Sequence, residues 1–271
     1  MYYMTTKIKS VLISGASIAG LTMAYWMKYY GYNVTVVEIG AEPRRGGSPI
    51  DVRGEALECA KRMGLLGAIK KAKLPTKGLK FVNAQNEVEG IMYVEEIGAL
   101  TPEDIELRRD DLVDILYGAV ENNISYKFSN RITRLEQYAE EVKITFKDGT
   151  EGVYDYVIGA DGIHSGVRKL VFGEESQFTH FLNFYFCVFT VDGKLGEQNY
   201  AHMYNTPGNM ATVYFYNRDS ADTLLAFRAS DKITFERNDI EAQKQIVIEA
   251  FKGIGWKVPQ LLEELKCAEN F

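Results

Sequence analysis

Gly15, Ser17 and Gly20, spaced as in the hexapeptide GASIAG, are the residues here best suited to holding a phosphate. A β-α turn that receives a pyrophosphate needs small side chains. The backbone must come close to the anion while the amides of the following helix face it. Gly15 suits the tight turn and Gly20 the close packing of helix on strand. Ser17 takes the position nearest the phosphates, where a small residue fits and its hydroxyl can donate a hydrogen bond. Ile18 and Ala19 supply amides at the helix entrance. Glu38 follows 23 positions after Gly15, the spacing of a carboxylate that accepts from a ribose hydroxyl. The same charge would repel a 2′-phosphate, which disfavours NADP at this position. The fingerprint alone does not separate FAD from NAD, and G-x-S-x-x-G also occurs in ordinary small-residue turns.

The elements around it decide its weight. KIKSVLISG reads as a short buried parallel strand stopping at Gly15. Residues 18–30 are helix-compatible and end at Gly31, a fitting C′ glycine. NVTVVEIG is a second strand, which completes a β-α-β unit. A Gly/Pro/Arg loop follows, then a predicted helix over 55–73, and two strands around NAQNE. A further helix starts near Arg109, with Asp110 and Asp111 at its positive end. Strands follow, with Asp148-Gly149 as a hairpin turn, and a short helix is expected between Asp161 and Lys169. From 177 to 229 the chain reads as a strand meander, with turns at Asp192-Gly193, Pro207-Gly208 and 217–220. The last part reads as helical, broken at 253–255 and at Pro259.

Composition narrows the function classes. A net charge of −6 without a Lys/Arg-rich run argues against nucleic acid as partner. Cys59, Cys187 and Cys267 form no C-x-x-C pair, so neither zinc nor a redox dithiol is expected, and a reduced cytoplasmic setting is the simplest reading. The first residues carry no signal-peptide pattern. The most apolar stretch, 181–191, is about half the length of a membrane helix, so no membrane partner is expected. Aromatic residues crowd between Phe178 and Phe227. A β-sheet interior explains this, as does a pocket for a ring-shaped ligand; the two readings can coexist.

A second landmark is VIGADGIHSGVRK, an apolar strand ending at Ala160 before Asp161-Gly162 and a helix start. Taken with GASIAG and Glu38, RRGGSPIDVRGEALECAKRMGLL and IELRRDDLVDIL, it forms a constellation over most of residues 10–169. In these residues and their order the chain resembles the FAD-dependent aromatic hydroxylases of the para-hydroxybenzoate hydroxylase type. The likeness is greatest to the branch with the tetracycline-inactivating monooxygenases. The resemblance implies that Gly15, Ser17, Ile18, Ala19 and Gly20 line the FAD pyrophosphate and that Glu38 holds the adenosine ribose. It implies that Arg109 reaches the flavin side of the cofactor, and that Asp161 sits in the Asp-Gly motif serving FAD and NAD(P)H use. Arg44, before Gly46-Gly47, and Asp51 fall in a loop close to FAD. Taken alone, Arg109 also reads as a surface charge at a helix start, Asp51 as a turn residue and His164 as a helix-entry residue. No side chain is assigned to the chemical step and no metal is expected, because in this family the cofactor carries the hard chemistry.

Two departures from the family pattern stand out. Ile39 takes a slot where many members carry an arginine, with Arg44 or Arg45 as the available substitute. Members also continue past a helical segment like 240–265 into a strand, a Gly-Asp motif at the flavin and a long helix. This sequence stops at Phe271, so a complete adenine half and an incomplete flavin half are expected.

The fold implied is α/β. A Rossmann-like FAD-binding domain of three-layer β/β/α character is expected over 1–76 and 100–175. A mainly antiparallel substrate-binding sheet domain is expected over 77–99 and 176–271, with the active site at their junction. The function implied is an FAD-dependent monooxygenase, or the larger N-terminal part of one. It would hydroxylate an aromatic or polyketide-like small molecule with NAD(P)H and O2. A flavin reductase or oxidase of the same fold and a catalytically inactive FAD-binding module are the alternatives.

Overall fold

Val11, Leu12 and Ile13 are fully buried, the state of an apolar run covered on both faces of a parallel sheet. They form the first strand in a computed structural model that describes residues 8–44, 46, 48–96, 101, 103–215, 220–236, 238–269 and 271. The chain begins with β1 (Ser10–Ser14), α1 (Ile18–Tyr29) and β2 (Asn33–Val37). It continues through β3 (Ile50–Val52), α2 (Glu55–Arg62), α3 (Leu66–Lys71), β4 (Gly78–Val82), β5 (Val88–Tyr93) and β6 (Ile105–Leu107). Next come α4 (Arg109–Val120), β7 (Ser125–Lys127), β8 (Ile132–Gln137), β9 (Val142–Phe146), β10 (Glu151–Tyr154), β11 (Tyr156–Gly159) and α5 (Gly166–Phe172). The remainder is β12 (Phe184–Asp192), β13 (Tyr200–Thr206), β14 (Asn209–Phe215), β15 (Ser220–Arg228), α6 (Ile240–Ala250) and α7 (Val258–Cys267).

Backbone contacts divide the chain into two compact units, Met1–Arg45 with Asp111–His180 and Gly46–Asp110 with Phe181–Phe271. In the first, a four-stranded sheet runs β11-β1-β2-β7 with every neighbour parallel. An antiparallel sheet, β10-β9-β8, covers one face. Leu12 and Val37 of the parallel sheet share a core with Ile132, Ile144 and Phe146 of the antiparallel one. Helix α1 packs on β1 and β2 through buried Gly20, Leu21 and Ala24. The layers are therefore β/β/α, and the fold is α/β with a parallel dinucleotide-type sheet beside antiparallel sheets.

In the second unit a six-stranded sheet runs β12-β15-β14-β13-β4-β5. It is antiparallel except where β13 meets β4. Alternation sets its two faces. Val213 and Phe215 join Phe189, Leu225, Phe251, Leu261 and Leu265 in the core under α6 and α7, while Tyr214 between them points to the other face. Part of the aromatic crowding is thus sheet interior. A two-stranded antiparallel ribbon, β3-β6, completes this unit.

Three local expectations change. The helix predicted over 55–73 is two helices, because Gly64 has φ +75° and ends α2 with a left-handed turn. The helix after Asp161 starts two residues beyond His164, at Gly166, where Ser165 is the N-cap and accepts from the Arg168 amide. Pro259 does not break a helix; it stands in the first turn of α7, where its missing N–H costs nothing. The turn expected over 217–220 lies, but for Ser220, outside the described residues. Among the described residues no helix is long and apolar enough to cross a membrane.

Candidate functional site

The turn from β1 to α1 is built by hydrogen bonds to both neighbouring strands. The Gly15 amide donates to the Val37 carbonyl at 2.8 Å, and the Ala160 amide donates to the Ser14 carbonyl at 2.8 Å. Gly15 has φ +108°, and a Cβ there would overlap the carbonyl oxygen of Ala160. A Cβ on Gly20 would overlap the carbonyl oxygen of Gly15. The two glycines therefore let the strand end, the helix and the neighbouring strand end converge on one point. This is the geometry that a phosphate-binding turn demands.

Ser17 is the N-cap of α1, and the first intrahelical bond runs from the Leu21 amide to the Ser17 carbonyl at 2.9 Å. The amides of Ile18, Ala19 and Gly20 precede that bond, so the helix geometry supplies them no carbonyl partner. With the helix dipole they form an anion-attracting end. Ser17 and Ile18 are half-buried and Ala19 is exposed, so a ligand can reach this end.

Glu38 stands just past β2. Its Oε2 accepts the Ala16 amide at 2.7 Å and its Oε1 the Gly40 amide at 3.0 Å. The carboxylate is thereby fixed beside the β1–α1 turn, and its remaining lone pairs are those a ribose diol would use. Asp161 lies on the other side of the turn, its Cα 3.2 Å from where a Gly15 Cβ would stand. Its carboxylate accepts the Ser165 hydroxyl and, at 3.1 Å, the Val167 amide. It thus orders the entry to α5 as well as bordering the turn. The first unit gathers Gly15, Ser17, Ile18, Ala19, Gly20, Glu38 and Asp161 around one helix end.

The other expected residues have different settings. Arg44 is exposed, whereas Arg45 and Gly47 lie outside the described residues. Arg109, in the second unit, donates from Nη1 to the Gly46 carbonyl at 2.9 Å, and Asp110 accepts the Gly46 amide at 2.7 Å. Neighbouring side chains thus hold the Gly46 peptide from both ends and fix the loop before β3. His164 is exposed, its Nδ1 3.0 Å from the Glu175 carboxylate.

Asp51 lies on β3 directly opposite Glu106 of β6. Both face a cavity of about 620 Å³ within the second unit, together with Arg53, Lys73, Thr76, Leu79, Met203 and Tyr214. Burial pushes the Glu106 carboxyl up, a bond from Thr76 and the charge of Lys73 oppose this, and Asp51 adds to the rise. Burial also raises the Tyr214 phenol, with the negative charges of Glu106 and Asp51 adding to it. Sequence reasoning missed Glu106 and Tyr214. The signal for Glu106 was its place between Ile105 and Leu107, both buried, which turns it to the face opposite the core.

A glycine-lined turn between a parallel strand and a helix, with an acidic residue past the second strand, defines a dinucleotide-binding protein of the Rossmann class. Residues 9–244 match the family described as FAD binding domain, and the chain belongs to that family of FAD-dependent monooxygenases. An uncharacterized protein of Mycobacterium tuberculosis (strain ATCC 25618 / H37Rv) is 39% identical over 267 residues, covering 97% of this chain and 72% of that one. A flavin-dependent monooxygenase from an unknown prokaryotic organism is 30% identical over 97% of this chain and 68% of its own length. Among solved structures, the tetracycline destructase Tet(51) superposes with a TM-score of 0.83 at 26% identity, over 97% of this chain and 68% of that one. CtdE in complex with FAD shares the fold at a TM-score of 0.74 and 16% identity, over 97% of this chain and 70% of its own.

Proposed function

We propose that this chain binds FAD through the β1–α1 turn and serves an NAD(P)H- and O2-dependent monooxygenation of an aromatic or polyketide-like small molecule. The observation that carries the reading is the convergence of Gly15 and Gly20, where neither position has room for a Cβ, beside a helix end with Glu38 fixed next to it. Membership of the FAD-binding family supports the choice of FAD. In this reading residues 1–76 and 100–175 serve the cofactor, and 77–99 with 176–271 serve the substrate. The three cysteines are free thiols, which fits a reducing cytoplasmic setting.

The residues divide the work. The amides of Ile18, Ala19 and Gly20, with the Ser17 hydroxyl, hold the pyrophosphate, and Glu38 accepts from the adenosine ribose. Arg109 serves the flavin side, Asp161 serves FAD and NAD(P)H use through its Asp-Gly motif, and Arg44 and Asp51 belong to a loop close to FAD. FAD bound there and reduced by NAD(P)H would supply the activation of O2, one atom of which goes to the substrate and the other to water. The chain's own part is to place a ring against the flavin and to exclude water there. No side-chain nucleophile is needed.

Turnover under isotopically labelled O2, with NADPH or NADH and a panel of phenolic and polyketide ring compounds, tests this reading. One labelled oxygen atom in the organic product is expected. Label recovered solely as hydrogen peroxide across the panel would instead identify a flavin oxidase or reductase.

A further inference from the structure

The two bonds that hold Gly46 lie where the chain passes between its compact units. The first unit breaks off at Arg45 and resumes at Asp111, while the second begins at Gly46 and pauses at Asp110. Two passages that are 64 residues apart in sequence therefore meet at one point. Gly46 opens the first, and Arg109 and Asp110 close the second.

Asp110 Oδ1 accepts the Gly46 amide at 2.7 Å, the length of a charge-assisted bond. Arg109 Nη1 donates to the Gly46 carbonyl at 2.9 Å, so one residue is held at its amide and at its carbonyl. Arg108 Nη2 stands 3.5 Å from Asp110 Oδ2 and faces the other carboxylate oxygen. Gly46 itself has φ +88°, a left-handed bend that glycine adopts without strain.

Asp110 lies in the first turn of α4, where a carboxylate ordinarily serves the helix's own amides and dipole. Its Oδ1 reaches out of the helix to Gly46 instead. Helix support explains the charge at this position but not the direction of that bond. The loop that receives it is open to solvent, with Ala41, Glu42 and Arg44 exposed. Such a segment samples many conformations unless it is tied down, and a ligand that needs one of them must offset the ordering cost.

We infer that Asp110 is a positioning residue: through Gly46 it ties the two neighbouring passages of chain to each other and holds the loop before β3 in one conformation. The purpose of the tie rests on the FAD reading, in which that loop carries Arg44 and Asp51 close to the cofactor. The tie itself requires no flavin.

The test is native-state digestion of the purified full chain with trypsin, after removal of any bound flavin, with the cut sites read by mass spectrometry. Arg44 and Arg45 place tryptic bonds at the clamp, and the Arg45–Gly46 peptide carries the amide that Asp110 holds. Cleavage there follows the fraction of molecules in which the loop is open. Asp110→Ala should speed it by about tenfold or more, the scale of a lost bond to a charged group. Asp110→Asn keeps an acceptor oxygen and should stay within about threefold of the parent. Both variants remove the charge from the start of α4, so an effect of the helix dipole would move them equally. Cleavage at other sites and the thermal unfolding midpoint should differ little between the two variants. On titration with FAD, Asp110→Ala should bind about tenfold more weakly, because fewer molecules carry the ordered loop, and Asp110→Asn should again approach the parent.

Equal cleavage after Arg44 and Arg45 in the parent and Asp110→Ala would overturn the inference. So would equal behaviour of Asp110→Asn and Asp110→Ala, or acceleration at every tryptic site alike, since either assigns Asp110 to support of the fold at large. A parent protein that takes up no FAD would refute the FAD reading alone, and the ranking of the cleavage rates would still decide the tie.

Discussion

Gly15→Val is expected to abolish flavin binding. Two physical effects act together at that position. Its φ of +108° is a conformation that a β-branched residue pays about 1–3 kcal/mol or more to adopt. Its Cβ would also overlap the Ala160 carbonyl oxygen, which belongs to backbone and cannot rotate away. The turn must open, and the amides of Ile18, Ala19 and Gly20 lose their common aim at the pyrophosphate. Part of the loss could reflect a weaker fold, so a second substitution separates the two. Ser17→Glu places a carboxylate at the N-cap of α1, half-buried rather than packed. A negative charge there stabilises the helix by up to about 1 kcal/mol and repels a phosphate. That variant should keep or raise its unfolding midpoint while losing FAD affinity by at least about tenfold. Equilibrium dialysis with FAD, read beside thermal unfolding of both variants, checks the pair. Flavin retained by both would place the cradle elsewhere.

The protein should lose stability as the pH falls from about 6.5 to about 4, and His202 should be one principal cause. His202 lies on β13 and is 6% exposed, with neither ring nitrogen within reach of a hydrogen-bond partner. Its ring meets Phe215 edge-on at 5.2 Å. Burial pushes its pKa down to about 4, the nearby Lys257 and Lys80 ammonium groups add to this, and Glu197 opposes them. An unfolded chain titrates the same imidazole near 6.5. Between those values the unfolded state binds the proton that the native state refuses, so stability falls with falling pH through this window. The full difference is worth about 3 kcal/mol, of which about 2 kcal/mol is lost by pH 5. Urea unfolding at pH 7.5 and pH 5 measures it. His202→Phe removes the titrating group and two unsatisfied nitrogens while keeping a ring, so it should cost little at pH 7.5. Its stability should fall by about 2 kcal/mol less than the parent's over the same interval. Identical pH slopes for parent and variant would contradict the assignment.

The parts of this site that were legible in the sequence are those set by local chemistry. Strand, glycine turn, helix and strand follow within residues 10–37, each marked by its own signal: an apolar run, small residues, a C′ glycine and a β-branched run. Glu38 was readable because a fixed number of residues separates it from Gly15. The resemblance placed Asp161 in a motif serving FAD, and the parallel pairing of β1 with β11 brings it beside Gly15. The misread segments have local causes as well. Gly64 sits in a stretch otherwise suited to one long helix, and Pro259 looks like a breaker unless it is recognised as a first-turn residue.

The cavity wall was not legible, for a different reason. Asp51 and Glu106 are brought together by strand register across an intervening segment that contains α2, α3, β4 and β5, and no periodicity in either strand predicts which residue will stand opposite which. Tyr214 was hidden likewise. One aromatic residue among many in a strand meander gives no sign of facing a chamber until its neighbours Val213 and Phe215 are seen to face the core. The buried setting of His202 depends on Lys80 and Lys257 from other elements, and its sequence neighbours reveal nothing of it.

The proposed function depends first on the cofactor. The most direct measurement is to equilibrate the purified chain with FAD, remove the excess by gel filtration, denature the protein and quantify the released flavin. The β1–α1 cradle predicts flavin near one FAD per chain, recovered intact as the dinucleotide. A protein that emerges colourless and releases no flavin would contradict it.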